Sequence, residues 1–157
     1  MKRWIPSALI TVLTFQALFF ISPSTVYAQE MTCPPPTFVT IDVKPGDTSN
    51  KINLSARGLL PVAVLTTTDF DASQFMPEMA HLSDANMAMT MGCAGAMAIR
   101  WNLEDVNRDR RLDLVFFFRT QDLNLTSNTT DVTLMAHGSY NSTPAHIMGT
   151  DPVRVKP

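Results

Sequence analysis

The sequence is poor in cysteine, in charge and in helical periodicity. Only two cysteines, Cys33 and Cys93, occur in 157 residues, too few for a disulfide-built scaffold or a cysteine-ligated zinc site. Charged residues make up 17% of the chain and the formal net charge is −2, which excludes the basic footprint of a nucleic-acid binder. At 45% hydrophobic the chain is too apolar to be wholly disordered, and its length suits one domain rather than two. Its three histidines, His81, His137 and His146, fall in no nucleophile or metalloprotease motif, and His137-Gly138-Ser139 lacks the flanking glycines of a nucleophile elbow. Asp69 and Asp71 could pair for glycoside chemistry, but two acids around Phe70 in a turn also suit a solvent-facing frame for one buried ring. No set of residues fills the acid, base and nucleophile roles together, so the expectation is a protein without catalytic activity.

The amino terminus carries the marks of export. Lys2 and Arg3 precede an apolar stretch from Ile5 to Ile21, followed by Ser22-Pro23-Ser24 and then Val26-Tyr27-Ala28. This is the order of a signal peptide with a cut after Ala28. A retained membrane anchor is the competing reading; the run is short for spanning and is interrupted by Thr11, Thr14 and Gln16. Cys33 follows Glu-Met-Thr, which does not suit lipidation. Cleavage removes two bases and no acid, leaving 129 residues with 10 bases and 14 acids, a net −4. The expectation is a secreted or periplasmic protein with no stable membrane insertion after cleavage. In an oxidising compartment Cys33 and Cys93 could form a disulfide, closing a 60-residue loop for about 4 kcal/mol in the chain-entropy model; two unpaired thiols are the alternative.

Residues 29–36 end in Cys33-Pro34-Pro35-Pro36, a stiff tether. Beyond it, short apolar runs alternate with turn-rich segments. Val39, Ile41 and Val43 share one face of a strand ended by Pro45-Gly46-Asp47. Pro61 to Leu65 is a compact β-branched run. Met97, Ile99, Trp101 and Leu103 alternate with Ala98, Arg100 and Asn102. Leu112 to Phe118 is apolar on both faces, as a central strand is. Val132, Leu134 and Ala136 mark a further strand, and Val153 with Val155 a last short one. The expected fold is all-β, a single Greek-key, immunoglobulin-like sandwich over residues 37–157.

One connection between strands has chemistry. Asp105, Asn107, Asp109 and Asp113 occupy positions 1, 3, 5 and 9 of a calcium-loop pattern, and Arg111 at position 7 offers its main-chain carbonyl. Three carboxylates within nine residues repel unless a cation or several donors neutralise them. Position 6, where glycine usually makes the sharp turn, is Arg110, and position 12 is Phe116 rather than glutamate. The pattern therefore belongs to a turn between β-strands, not to a helix-flanked EF-hand. Arg108, Arg110 and Arg111 offer a metal-free alternative in which guanidinium groups pair with the same aspartates.

Three ordered stretches together resemble a domain of unassigned biochemical role found in secreted bacterial proteins, often beside sorting signals or other extracellular modules. They are Ile41-Asp42-Val43-Lys44-Pro45-Gly46 with Asn50-Lys51-Ile52-Asn53; Gly58-Leu59-Leu60-Pro61-Val62-Ala63-Val64-Leu65 leading to Asp69-Phe70-Asp71; and Leu103-Glu104-Asp105-Val106-Asn107 through Leu112-Asp113-Leu114-Val115 to Phe118-Arg119-Thr120-Gln121-Asp122. The third is similar to the calcium loops of dockerins and integrins. The resemblance runs from Ile41 to Val155 and implies a secreted β-rich module with a Ca²⁺-type loop and no catalytic activity. In the family pattern glycines stand where this chain has Arg108 and Arg110.

Two other functions stay open. Met76, Met79, Met87, Met89, Met91 and Met97 crowd the middle of the chain near His81 and Cys93, and soft thioethers suit Cu(I) in a periplasmic copper-binding protein. The alternative is that Met87, Met89 and Met91 alternate along one strand and fill an irregular core. A metal-free adhesion or glycan-binding module is also compatible, its partner an extracellular protein or glycan, although no aromatic platform stands out.

Overall fold

The apolar run from Thr37 to Val43 forms two strands that serve opposite edges of one sheet. The computed structural model describes residues 35–91 and 95–157, so the expected signal peptide and both cysteines lie outside the described residues. Strand β1 (Thr37–Phe38) pairs parallel with β9 (Thr143–Pro152), and β2 (Ile41–Val43) pairs antiparallel with β4 (Leu59–Val64). Between them, Val39 N–H donates to the Met148 carbonyl and the Thr40 carbonyl accepts from Leu65 N–H, each at 2.9 Å. The expected inward face holds: Ile41 and Val43 are buried, and Val39 packs against them.

The remaining strands are β3 (Lys51–Asn53), β5 (Phe75–Asp84), β6 (Ala96–Glu104), β7 (Asp113–Arg119), β8 (Asp131–Tyr140) and β10 (Arg154–Lys156). Eight strands form one sheet in the order β1-β9-β8-β5-β6-β7-β4-β2, while β10 and β3 make a separate parallel pair. Because the first and last strands of that order are one continuous segment, the sheet curls upon itself. The protein is all-β, with a large curled mixed sheet.

The curl is localised where β6 leaves β5. Only His81–Met97 and Leu82–Ala96 pair there; β6 then shifts register between Ala98 and Arg100 and continues along β7. The core fills the space inside. Val62, Val64, Leu114, Phe116 and Phe118 contribute from one half, and Phe75, Leu82, Val132, Leu134 and Ile147 from the other. Strand β7 lies between β6 and β4 and is buried over most of its length, as its doubly apolar sequence predicts.

Two expectations need correction. Met97, Ile99, Trp101 and Leu103 do not share one face. Ala98 opposes Phe118 and Trp101 opposes Phe116, both core positions, so the extra residue inverts the alternation along β6. Met87, Met89 and Met91 do not alternate along a strand either, because Ala85–Met91 is a short helix, α1. Asp84 caps it: its Oδ1 accepts the Asn86 N–H at 2.9 Å, and Ala and Met favour the helical backbone.

Candidate functional site

The acidic loop joins β6 to β7, beyond the last pair of that hairpin, Glu104–Asp113. Its winding comes from side chains accepting the loop's own amides. Asp105 Oδ1 accepts from Asp109 N–H at 3.1 Å and Oδ2 from Arg110 N–H at 3.0 Å. Asn107 Oδ1 also accepts from Asp109 N–H, at 3.0 Å, and its amide nitrogen donates to Asp109 Oδ2 at 3.1 Å. Asp109 Oδ1 accepts from Arg111 N–H at 2.8 Å. Arg108 and Arg110 both have left-handed backbones, with φ of 63° and 70°. These are conformations that glycine adopts without strain and that a Cβ disfavours.

Asp113 has a different role from its neighbours. It is fully buried, and its Oδ1 accepts from Thr66 N–H at 2.8 Å while its Oδ2 accepts from Val106 N–H at 3.0 Å. Thr66 in turn donates its hydroxyl to the Leu112 carbonyl at 2.6 Å and accepts from Ala72 N–H at 3.0 Å. The chain leaving β4 is thereby tied to both ends of the loop. Thr66 carries no sequence signal of its own; only the fold brings it to Asp113.

The aspartates are not clasped by arginine. Among the described residues the sole ion pair joins Lys44 to Asp47, at 2.6 Å, so the guanidinium groups of Arg108, Arg110 and Arg111 pair with no loop carboxylate. Among the described residues no group of three or more His, Cys, Asp and Glu side chains is placed to hold a metal ion. What converges is smaller: the carboxylates of Asp105 and Asp109 and the amide of Asn107. Each of their side-chain oxygens accepts a bond from within the loop, and a carboxylate has about four lone-pair sites. Asp113 is already committed to the framework.

The other candidate residues disperse. Asp71 caps a 3₁₀ turn at Ala72–Gln74 through Ser73 N–H at 3.0 Å, and Phe70 between the two acids is buried and stacked on Tyr140. Met87 lies on α1, whereas Met76 and Met79 are carried by β5 and Met97 by β6. The disulfide expected between Cys33 and Cys93 lies outside the described residues.

Two features were not legible as sites. Where β5 and β6 part, a hollow of about 360 Å³ is lined by Glu78, Met79, Ile99, Arg100 and Trp101, with Phe116 below; Trp101 is 40% exposed there. The histidines also meet. His137 and His146 oppose each other on β8 and β9, with His137 Nδ1 3.4 Å from His146 Nε2 and the rings edge to face. Burial first, then the charges of His146 and His81, hold His137 below the ordinary histidine value, against a smaller opposite pull from Glu78. A signal for this pairing exists in the two-residue turn Asn141-Ser142, both residues at positive φ, which fixes the register of the hairpin.

No family model matches this chain, and comparison with curated proteins and with solved structures finds no similar one.

Proposed function

We propose that this chain is an exported, non-catalytic structural or binding module whose β6–β7 turn is stabilised by Ca²⁺. The observation that carries the reading is the inward winding of the turn. Asp105, Asn107 and Asp109 all direct side-chain oxygens at the loop's own amides, while three neighbouring arginines leave the carboxylates without guanidinium partners. Oxygen-only donors on a tightly wound loop are the chemistry of a hard cation. Asp105, Asn107 and Asp109, with the carbonyl of Arg111, would hold the ion, and Asp113 would anchor the loop to the sheet. The ion would supply charge compensation and rigidity, adding stability through linkage of about 2.7 kcal/mol at a hundredfold excess over Kd. Weak sites suffice outside the cell.

Export rests on the charged flank, apolar run and small-residue cut site at the amino terminus, and the immunoglobulin-like Greek-key sandwich is our reading of the curled sheet. Isothermal titration of the chain with CaCl₂ tests the function. One site of micromolar to millimolar affinity, weakened at least tenfold in Asp105→Asn and Asp109→Asn, supports it; absence of binding, or equal binding by both variants, rejects it.

A second reading is favoured by Trp101. An indole beside Arg100 and Glu78 in an open hollow suits a sugar ring stacked on an aromatic face and hydrogen-bonded at its edge. Glycan-array binding abolished by Trp101→Ala supports this reading, and no binding to any glycan removes it.

A further inference from the structure

Strand β6 is paired on both sides only at its start. Ala96 and Met97 pair with Leu82 and His81 of β5. From Arg100 to Glu104 its one strand neighbour among the described residues is β7. The other edge of that stretch therefore presents main-chain N–H and C=O groups with no ladder partner, a template for a further strand. The side chains repeat the pattern. Trp101 and Leu103 oppose Phe116 and Leu114, both buried in the core, yet they are themselves 40% and 38% exposed. They stand on the inner side of the sheet, and where β5 turns away Trp101 borders the open hollow.

The charges on this edge decide what can add to it. Arg100 and Glu104 lie about 13 Å apart along the strand, too far to pair within one chain. Neither has an ion partner among the described residues. The Arg100 guanidinium rests over the Phe117 ring, 3.9 Å from its centroid, which holds the charge beside the edge. An antiparallel copy of the same strand, centred on Asn102, brings Arg100 of each chain opposite Glu104 of the other. Directly opposed residues have Cβ atoms about 5 Å apart, within reach of an ion pair. On the inner side the same register sets Trp101 opposite Leu103, again twice. At the centre Asn102 faces its own copy with an amide that both donates and accepts. Every position from Arg100 to Glu104 thus meets a complementary one. A register two residues away in either direction sets Arg100 or Glu104 opposite Asn102 and loses both ion pairs.

We propose that two copies of this chain associate through β6, edge to edge and antiparallel about a two-fold axis at Asn102, so that the sheet continues from one copy into the other. The contact is isologous and uses one edge of each chain, so it closes as a dimer. It is short, and association in the micromolar to millimolar range is expected. Main-chain bonds supply the adhesion, and the paired Arg100 and Glu104 set the register and the choice of partner. None of Asp105, Asn107 and Asp109 takes part, so the dimer stands whether or not the adjoining loop binds Ca²⁺. The second strand covers Trp101, which makes the dimer and a sugar stacked on that ring alternatives.

The test is sedimentation velocity of the full chain from micromolar to millimolar concentration, with any free thiols alkylated by iodoacetamide. A reversible monomer–dimer equilibrium is expected. Arg100 and Glu104 are both exposed, so their substitution preserves the fold. Arg100→Glu and Glu104→Arg should each weaken the dimer at least tenfold, because each sets like charges opposite one another. An equimolar mixture of the two variants should regain it, since the mixed pair restores opposite charges at both positions. The double variant Arg100→Glu/Glu104→Arg should regain it on its own. A chain that stays monomeric throughout overturns the proposal and leaves Trp101 to a sugar. Equal association of the single variants and the native chain, or a mixture no tighter than either variant alone, overturns it as well.

Discussion

Asp113 Oδ1 accepts the main-chain N–H of Thr66 at 2.8 Å across 47 residues of sequence, and this bond joins the end of β4 to the start of β7. A calcium-loop pattern would spend Asp113 on the ion; here the fold spends it on the framework. The loop is therefore anchored independently of any cation. Asp113→Ala should destabilise the protein by about 2 kcal/mol or more, since it leaves two amides without acceptors. Asp113→Asn, which keeps one acceptor, should cost less. Urea unfolding measures both, and equal stability of Asp113→Ala and the native chain contradicts the role.

Arg108 and Arg110 occupy left-handed backbone conformations that a Cβ disfavours by about 1 kcal/mol each. Arg108→Gly and Arg110→Gly should each raise the melting temperature, by up to about 1 kcal/mol of stability less the entropy that glycine gains when unfolded. A lowered melting point in both would show that the arginine side chains stabilise the loop more than their backbones strain it.

Gly149 sits where the curled sheet closes. A Cβ there would lie 2.5 Å from Ile41 Cγ2 and 2.7 Å from the Val39 carbonyl, so β9 approaches the β1–β2 segment too closely for any side chain. Gly149→Ala should cost about 1–3 kcal/mol through overpacking. Thermal unfolding tests this, and an unchanged melting point contradicts the close approach at Gly149.

Asp84 is held below the usual aspartate value first by the hydroxyl of Thr129, which donates at 2.7 Å, with smaller help from Asn86 and opposition from burial. Its pKa is depressed on folding, so its contribution is present above the unfolded value of about 3.9 and is lost as pH falls through the folded value. Thr129→Val should flatten this part of the acid limb. Urea midpoints between pH 5 and pH 2 check it; an identical pH dependence in the variant contradicts the assignment.

What the sequence revealed and what it hid follow from how each strand is used. Ile41, Val43, Val132, Leu134 and Ala136 alternate against polar or small neighbours, so their inward face is legible at a period of two. Leu114 to Phe118 is apolar throughout because β7 is covered on both sides. Strand β5 escaped notice: Pro77 breaks the pattern at a register shift, and its outward side carries Met76, Met79 and His81 instead of charged residues. Strand β9 was hidden for a related reason, because Ala145, Ile147 and Gly149 are mostly small inward residues. The loop was legible by spacing alone, including the glycine-like backbone at Arg110, but the buried bonds of Asp113 depend on Thr66. His137 meets His146 through the hairpin register that the Asn141-Ser142 turn sets, whereas the pairing of β5 with β8, which brings Met79 opposite His137, has no local pattern to show it.

The central claim, a Ca²⁺-stabilised turn in a non-catalytic exported module, is tested most directly by thermal unfolding in millimolar CaCl₂ and in EDTA. We expect a higher melting temperature with Ca²⁺, reversed by EDTA and absent in Asp109→Ala. Coincident unfolding curves in the two solutions, or a Ca²⁺ response retained in full by Asp109→Ala, would contradict it.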